Sequence, residues 1–165
     1  AVLRWGAPHP PPAGGGRARP GGGRGGGAPR PPPPPPRGAE CYAVLNLYPY
    51  NSGHLMVLPY RHVSGYVDLT ASETAELATM TQTAIRTLTA VYAPAGYNIG
   101  MNQGEVAGAG IAAHLHQHVV PRWLGDANFL PVVGQTKALP ELLADTRARL
   151  AAAWPRPDAE HDGGR

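Results

Sequence analysis

The residues with the clearest chemical potential are three histidines, His114, His116 and His118, which are separated by single residues. Alternate residues of a strand point to one face of a sheet, whereas a helix would turn the middle histidine away from the other two. The apolar residues that follow, and then Pro121, favour a strand that stops at the proline. We therefore predict a strand over 114–120 with the three imidazoles in a row on one face, about 7 Å apart.

A row of imidazoles is compatible with several kinds of chemistry. One zinc ion cannot take all three, because the outer two would lie roughly 13 Å apart while zinc binds nitrogens at ~2 Å. Two of them with a distant ligand such as His62 could bind a metal, or the row could hold a polyanion with one imidazole as nucleophile. The Gly/Ala-rich loop Gly104–Gly110 lies directly upstream, and its amides could approach phosphate oxygens. A solvated, histidine-rich strand without chemistry is the remaining alternative.

The rest of the chain supplies the elements that must position these side chains. The predicted elements are strands over 41–47 and 54–58, a helix from the capping box at Thr70–Glu73 to Tyr92, strands over 97–102 and 114–120, and a helix over 139–154. We expect an α+β fold, an antiparallel sheet with one long helix and a C-terminal helix. Gln117 should face the side of the sheet opposite to the histidines, so we assign it no chemistry.

The composition divides the chain near residue 40. Residues 1–40 hold 11 of the 22 glycines and 12 of the 20 prolines, with six arginines against one glutamate. Residues 41–165 carry eight Lys and Arg against ten Asp and Glu, so the basic character belongs to the first segment and a basic nucleic-acid-binding domain is excluded. We predict that 1–40 is disordered, and its GC-rich codon usage raises the hypothesis of a misassigned or truncated segment. We predict a folded domain over 41–157 and a flexible tail over 158–165.

Cysteine content and hydropathy limit the environment of the protein. Cys41 is the single cysteine, so an internal disulfide is excluded and a reducing compartment is favoured. No stretch approaches the ~20 apolar residues of a membrane span, and the first residues lack the pattern of a signal peptide. We expect a soluble, cytoplasmic protein.

Two blocks of the sequence resemble the histidine-triad (HIT) family. His114 to Val120 fits its signature of three alternating histidines followed by apolar residues, and the run from Asn46 to His62 is similar to its second hallmark block. The continuation Gly125–Phe129 resembles bacterial diadenosine-polyphosphate members, in particular actinobacterial diadenosine tetraphosphate phosphorylase/hydrolase-like proteins. The similarity runs from about Tyr42 to Trp154.

The resemblance implies a reaction and a site. His116 would attack the α-phosphorus of an adenine dinucleoside polyphosphate and form a nucleotidyl-histidine, which water or inorganic phosphate would release. His114 and His118 would orient phosphate oxygens and His54 would support them. The implied substrate contacts are Asn46 at the ribose, Asn102 at the phosphates, and Gly108 and Gly110 of the upstream loop.

This chain departs from the pattern of many relatives at three places. No Cys-x-x-Cys precedes the first predicted strand, so His62 and His114 match only half of a zinc site and a structural zinc is in doubt. Ile111 stands where many members carry a Ser or Thr that contacts the leaving group. The third histidine is His118, whereas phosphorylases of the fungal type have Gln there. Hydrolysis and phosphorolysis both stay open.

The resemblance also implies a homodimer that extends the sheet edge to edge, and a reaction that needs no cofactor beyond a divalent metal bound to substrate phosphates. A nucleoside phosphoramidase of the same family and a non-catalytic nucleotide-binding protein are the alternatives. An RNA-associated protein that uses the Arg/Gly segment is disfavoured, because aromatic residues are scarce there.

Overall fold

The strands form one antiparallel sheet within the residues that this computed structural model describes, namely 2–3, 36–126, 133–136 and 138–155. In chain order the elements are β1 (Val2–Leu3), β2 (Cys41–Asn46), β3 (Leu55–Pro59), α1 (Ala71–Tyr92), β4 (Gly96–Met101), β5 (Gln117–Arg122) and α2 (Leu143–Ala153). The strand order is β1-β2-β3-β5-β4, so β3 and β5 lie inside the sheet and β4 lies at its edge. The predicted α+β fold, with a long helix and a C-terminal helix, is confirmed.

Helix α1 begins at the predicted capping box. The Thr70 hydroxyl accepts the N–H of Glu73 at 3.2 Å, and the Glu73 carboxylate accepts the N–H of Thr70 at 2.8 Å. These two bonds satisfy donors that the first turn of a helix leaves free. The predicted apolar face packs on the sheet, with four of its five residues buried and Val91 half-buried. The buried ones are Leu77, Met80, Ala84 and Leu88.

The register of the sheet decides which side chains share a face. Met56 lies opposite His118, and Val57 lies opposite Gln117. Gln117 faces α1, where its Nε2 donates to the hydroxyl of Thr81 at 2.8 Å. His118 therefore points to the face that α1 does not cover, and the predicted placement of Gln117 on the other side is confirmed.

The prediction that all three histidines of the motif belong to one strand is wrong. β5 begins at Gln117, so His114 and His116 precede it. The N–H of Leu115 donates to the carbonyl of Val63 at 2.7 Å, and His116 Nδ1 lies 2.9 Å from the carbonyl oxygen of His114. These bonds take up backbone groups of residues 114 and 115, and the pairing with β3 and β4 begins only at Gln117.

β5 also continues past the proline that was predicted to end it. Pro121 pairs with Tyr97 of β4, and the strand ends at Arg122. Pairing between β3 and β5 stops at Val119, so β3 does not lie beside Pro121. The N–H that Pro121 lacks is therefore not needed for a bond to β3, and the proline is tolerated. The carbonyl of Pro121 accepts the side-chain amide of Asn51 at 2.9 Å.

The predicted domain boundary at residue 40 falls inside the paired region. β1 pairs with the end of β2, and the carbonyl of Pro36 accepts the N–H of Ala43 at 3.1 Å. Residues 4–35, which make up most of the Gly/Pro/Arg-rich segment, lie outside the described residues, as does the tail over 158–165. The predicted disorder of both stays a prediction.

Helix α2 is shorter than the helix predicted over 139–154. It starts at Leu143, and the preceding Leu142 has an extended backbone, makes no side-chain capping bond and is 73% exposed. Leu150 is buried, and Trp154 packs against the same core as α1. None of the described helices combines the length and the apolar character needed to cross a membrane.

Glu76 of α1 ties the entry of β2 to the helix. Its carboxylate accepts the N–H groups of Ala39, Glu40 and Cys41 at 2.8, 2.5 and 2.6 Å. The bond to Cys41 is part-buried, and a backbone donor that loses its partner away from water costs about 1–3 kcal/mol. The bonds to Ala39 and Glu40 are exposed, so water can replace them. The three bonds therefore hold the start of β2 against α1.

We predict that Glu76→Ala lowers the free energy of unfolding by roughly 1–3 kcal/mol, because the part-buried N–H of Cys41 loses its acceptor and two exposed N–H groups lose theirs to water. Glu105→Ala, at an exposed loop position, should change it by less than about 0.5 kcal/mol. Urea unfolding followed by circular dichroism measures both variants. Equal stability of the two would contradict the role given to Glu76.

Candidate active site

Three of the four predicted catalytic histidines form a cluster on the sheet face opposite α1. The ring centroids of His54 and His118 lie 5.0 Å apart, and those of His116 and His118 lie 4.9 Å apart. His54 is fully buried and His116 is 6% exposed, while His118 is half-buried. The ring of His114 lies elsewhere, stacked on the exposed His62 with centroids 4.4 Å apart. The row of evenly spaced imidazoles is thus replaced by a cluster of three and a separate pair.

A tight turn before β3 places His54. Gly53 has a positive φ of 75°, and a Cβ there would lie 2.8 Å from Cδ2 of the buried Leu88, so a larger residue would be strained and would displace Leu88. The N–H of His54 donates to the carbonyl of Asn51 at 3.1 Å, which closes the turn. The fully buried ring of His54 is consequently held at one position behind His118.

Hydrogen bonds fix which nitrogen of His54 carries its proton. Nδ1 lies 3.0 Å from the N–H of Tyr50 and 3.3 Å from the amide nitrogen of Asn46, which are both donors. Nδ1 must therefore accept, and the proton of the neutral ring is on Nε2. Nε2 lies 2.9 Å from Nδ1 of His118 and donates to it. His118 in turn carries its own proton on Nε2.

His116 is held in the opposite tautomer. Its Nδ1 lies 2.9 Å from the carbonyl oxygen of His114, and because a carbonyl oxygen can only accept, Nδ1 carries the proton. Nε2 of His116 keeps a lone pair, which is what a nucleophilic imidazole requires. His114 donates from Nε2 to the carbonyl oxygen of Pro59 at 2.8 Å.

Burial keeps the supporting imidazoles neutral. Loss of water lowers the pKa of His54 to about 3, and the neighbouring His118 and His116 add to the shift. The pKa of His118 is also lowered, first by burial and then by His116. At neutral pH both rings therefore hold a single proton, as the hydrogen bonds between them require.

Asn46 lies beside this cluster, whereas the other predicted substrate contacts lie on a separate loop. The half-buried side chain of Asn46 contacts His54, and its oxygen accepts the N–H of Tyr48 at 3.1 Å. Asn102 donates to the carbonyl of Gly108 at 3.4 Å, and Gly110 is exposed. Within the described residues, no hydrogen bond joins these three loop residues to the histidines.

Sequence reasoning missed two residues of the turn before β3. The Tyr50 ring packs on two histidines, with its centroid 4.7 Å from that of His54 and 5.6 Å from that of His118. Asn51 is 6% exposed and donates to the carboxylate of Asp126 at 2.7 Å. Tyr50 reaches the histidines, and Asn51 reaches Pro121 and Asp126, through contacts between distant parts of the chain that the local sequence does not indicate.

Arg122, the last residue of β5, is paired with a carboxylate. Its Nε lies 2.6 Å from Asp126, and a second nitrogen donates to the side chain of Asn98 at 2.6 Å. Arg122 is thereby held at the end of β5.

The residues that match zinc-ligand positions do not form a zinc site by themselves. Across the described ranges, no group of three or more His, Cys, Asp or Glu side chains could hold a metal ion. His62 and His114 stack with only 25° between their planes, so their in-plane lone pairs do not converge. Cys41 is buried on the α1 face, with its sulfur 3.7 Å from the carbonyl oxygen of Glu73.

A cavity of about 580 Å³ lies apart from the histidines. Its walls include Asn51, Tyr92, Trp123, Asp126 and Arg149. It has no histidine or cysteine in its lining, so the group best suited to attack a substrate is the cluster on the sheet face.

Comparison with known proteins agrees with this geometry. The HIT domain profile matches residues 37–123, a region that contains β2 to β5 and all the clustered histidines. The chain belongs to the histidine-triad domain family.

Two relatives whose names state an activity are similar to this chain. The chain is 58% identical to the AP-4-A phosphorylase of Mycobacterium tuberculosis over 120 residues, which cover 73% of this chain and 62% of that protein. It therefore spans less than two thirds of that relative. It is 36% identical to the asymmetrical bis(5'-nucleosyl)-tetraphosphatase of Schizosaccharomyces pombe over 84 residues, which cover 51% and 46% of the two chains.

Solved structures show the same fold. A zinc-bound histidine triad family protein from Mycobacterium smegmatis superposes with a TM-score of 0.59 at 27% identity, covering 72% of this chain and 80% of the other. A histidine triad nucleotide-binding protein from Sulfolobus tokodaii gives 0.57 at 26% identity, with coverage of 71% and 76%.

The buried neutral His54 makes stability depend on pH. Its pKa is about 3 in the folded protein and 6.5 in a solvated chain, so between these values the unfolded state binds a proton that the folded state excludes. The titration of His54 therefore does not reduce the free energy of unfolding above pH 6.5. As the pH falls from 6.5 toward 3, this free energy decreases by up to about 1.4 kcal/mol per pH unit.

We predict that the difference in unfolding free energy between wild type and His54→Gln grows as the pH rises from 3 to 6.5 and is flat above it. Taking the difference removes the titration of other groups that both proteins share. Urea unfolding at a series of pH values gives this difference. A difference that does not vary with pH would rule out a buried neutral His54.

Proposed function

We propose that the protein is a nucleotide hydrolase or nucleotidyltransferase that cleaves adenine dinucleoside polyphosphates through a nucleotidyl-histidine intermediate on His116. The observation that carries the proposal is the bond from His116 Nδ1–H to the carbonyl oxygen of His114. It directs the lone pair to Nε2 and leaves that nitrogen for a phosphorus atom.

The proposed reaction has two steps. His116 Nε2 attacks the α-phosphorus, a P–N bond forms, and the P–O bond to the leaving phosphate chain breaks with its electron pair on oxygen. The ring then carries a positive charge, which the carbonyl of His114 stabilises through Nδ1–H. Attack by water or by inorganic phosphate breaks the P–N bond and restores the neutral imidazole.

His118 supplies charge stabilisation in this proposal. Its Nδ1 is occupied by the bond from His54, so its Nε2–H is the group that can donate to a phosphate oxygen. Such preorganised donors and correct positioning provide most of the catalysis in phosphoryl-type transfers. Asn46, which contacts His54, is the proposed ribose contact, while Asn102, Gly108 and Gly110 are proposed to approach the phosphates from their loop.

The choice of substrate is supported by the names of two relatives, an AP-4-A phosphorylase and an asymmetrical bis(5'-nucleosyl)-tetraphosphatase. One relative is a phosphorylase and the other a hydrolase, so the acceptor in the second step is a matter for experiment. We propose that no resident cofactor is needed, that a divalent metal accompanies the substrate phosphates, and that the protein is cytoplasmic. We also propose that the chain holds no structural zinc, which the parallel stacking of His62 and His114 supports.

The direct test is product analysis with diadenosine tetraphosphate, with and without inorganic phosphate. ADP and ATP that form only with phosphate indicate phosphorolysis, whereas turnover in water alone indicates hydrolysis. Turnover of an adenosine phosphoramidate but not of the dinucleotide would select the phosphoramidase alternative. AMP binding without any turnover would select a non-catalytic nucleotide-binding protein.

We predict that His116→Asn reduces kcat by at least about 10³-fold, because the nucleophile is lost. Gln117→Met is the matched control, since residue 117 is adjacent in sequence but faces α1, and it should keep near wild-type kcat. Steady-state kinetics and mass spectrometry of the trapped intermediate measure the effect. Full activity of His116→Asn would refute the mechanism.

We further propose a homodimer that joins two sheets along β4. This six-residue strand has neighbours on one side only, and Ile99 at its centre is 49% exposed. A long exposed edge is a surface that proteins usually cover.

We predict that Ile99→Lys shifts the protein from dimer to monomer, because a charge on an edge strand opposes pairing with a second edge. Val67→Lys, at a position that is 92% exposed and remote from β4 in sequence, should leave the mass unchanged. Light scattering coupled to size exclusion reports the mass. A wild-type chain that is monomeric throughout would refute the dimer.

A further inference from the structure

Tyr50 makes two separable contacts with the histidine cluster. Its backbone N–H donates to Nδ1 of His54 at 3.0 Å, and any residue except proline would preserve that bond. Its ring packs on the imidazoles themselves, tilted by 40° on His54 and nearly parallel, at 28°, to His118. The side chain therefore does something that the backbone bond does not.

The ring of Tyr50 completes the confinement of His118. The His118 ring is in contact with His54 on one side and with His116 in an edge-on arrangement at 74°. In the sheet His118 pairs with Met56 of β3 and Gly100 of β4. Gly100 offers no side chain to hold the imidazole from β4, so its rotation is limited by the rings of His54, His116 and the stacked Tyr50.

Tyr50 stays in contact with solvent, since the residue is 55% exposed. A ring that served only to fill the core would be buried, as Leu45 and Leu55 are. Stacked aromatic pairs add a modest stabilisation beyond their buried area, which is enough to favour one ring orientation over others without being essential for folding.

We propose that Tyr50 is a positioning residue, whose ring holds the His118 imidazole in the orientation that presents its Nε2–H to a phosphate oxygen of the substrate. This inference rests on the proposed function, because it assigns a role to His118 in the same reaction. It adds a residue outside the histidine motif to the set that determines the rate.

The surroundings of His118 also predict an effect of Tyr50 on its protonation. The ionisable groups that face it are His54, His116 and Tyr50, while the strand partners Met56 and Gly100 do not titrate. Removal of the stacked ring admits water, and because burial is the first cause of the lowered pKa of His118, that pKa should rise. A protonated His118 can no longer accept from His54, so activity should be lost at a higher pH than in wild type.

The test compares Tyr50→Leu, Tyr50→Phe and Tyr48→Leu in the full chain. Tyr50→Leu should lower kcat for diadenosine tetraphosphate by roughly tenfold to a hundredfold, the cost of a misplaced group, with KM changed less than about twofold. Its acid limb in the pH profile should move to higher pH. Tyr50→Phe keeps the stacked ring and should restore both parameters. Tyr48 is 71% exposed in the same turn, and Tyr48→Leu should behave as wild type.

A second readout separates this inference from the proposed function. NMR of the histidine ring nitrogens follows the tautomer and titration of His118 without any turnover. If wild type shows no activity, the function fails, yet the Tyr50→Leu spectrum still tests the positioning role. Unchanged His118 signals in Tyr50→Leu, or an equal loss of kcat in Tyr48→Leu, would overturn the inference.

Discussion

A chain of hydrogen bonds through a fully buried imidazole is the constraint on which the site depends. The N–H of Tyr50 makes Nδ1 of His54 an acceptor, and His54 then donates from Nε2 to His118. Each neutral ring carries one proton, so the bond from Tyr50 to His54 determines which nitrogen of His118 is protonated. Burial enforces this direction, because a second proton on His54 would place a charge where water is absent. The outcome is a donor on His118 beside a lone pair on His116.

The fold positions this chain with elements that do no chemistry themselves. Gly53 allows the turn that brings His54 behind His118, and the helix side chain Leu88 leaves room for nothing larger. The pairing of β3 with β5 places Met56 and His118 side by side. Glu76 anchors the start of β2 through three N–H groups, which fixes the strand that carries Asn46.

Local sequence patterns predicted helix α1 well, because the capping box at Thr70 and the apolar spacing of the helix act over a few residues. The position of Gln117 opposite the histidines also followed from strand alternation. The late start of β5 could not be predicted, since it depends on Val63 and Pro59, which approach residues 114–116 only in the folded chain. The Tyr50 stack likewise depends on sheet register. The separation of His114 from the other imidazoles follows from the same distant contacts.

The fold assigns opposite tautomers to the neighbouring imidazoles His116 and His118. Long-range ¹H–¹⁵N correlation spectra of the histidine rings at neutral pH measure the tautomers directly. We predict Nε2–H forms for His54 and His118 and an Nδ1–H form for His116. A proton on Nε2 of His116, or a doubly protonated His54, would contradict this assignment of tautomers.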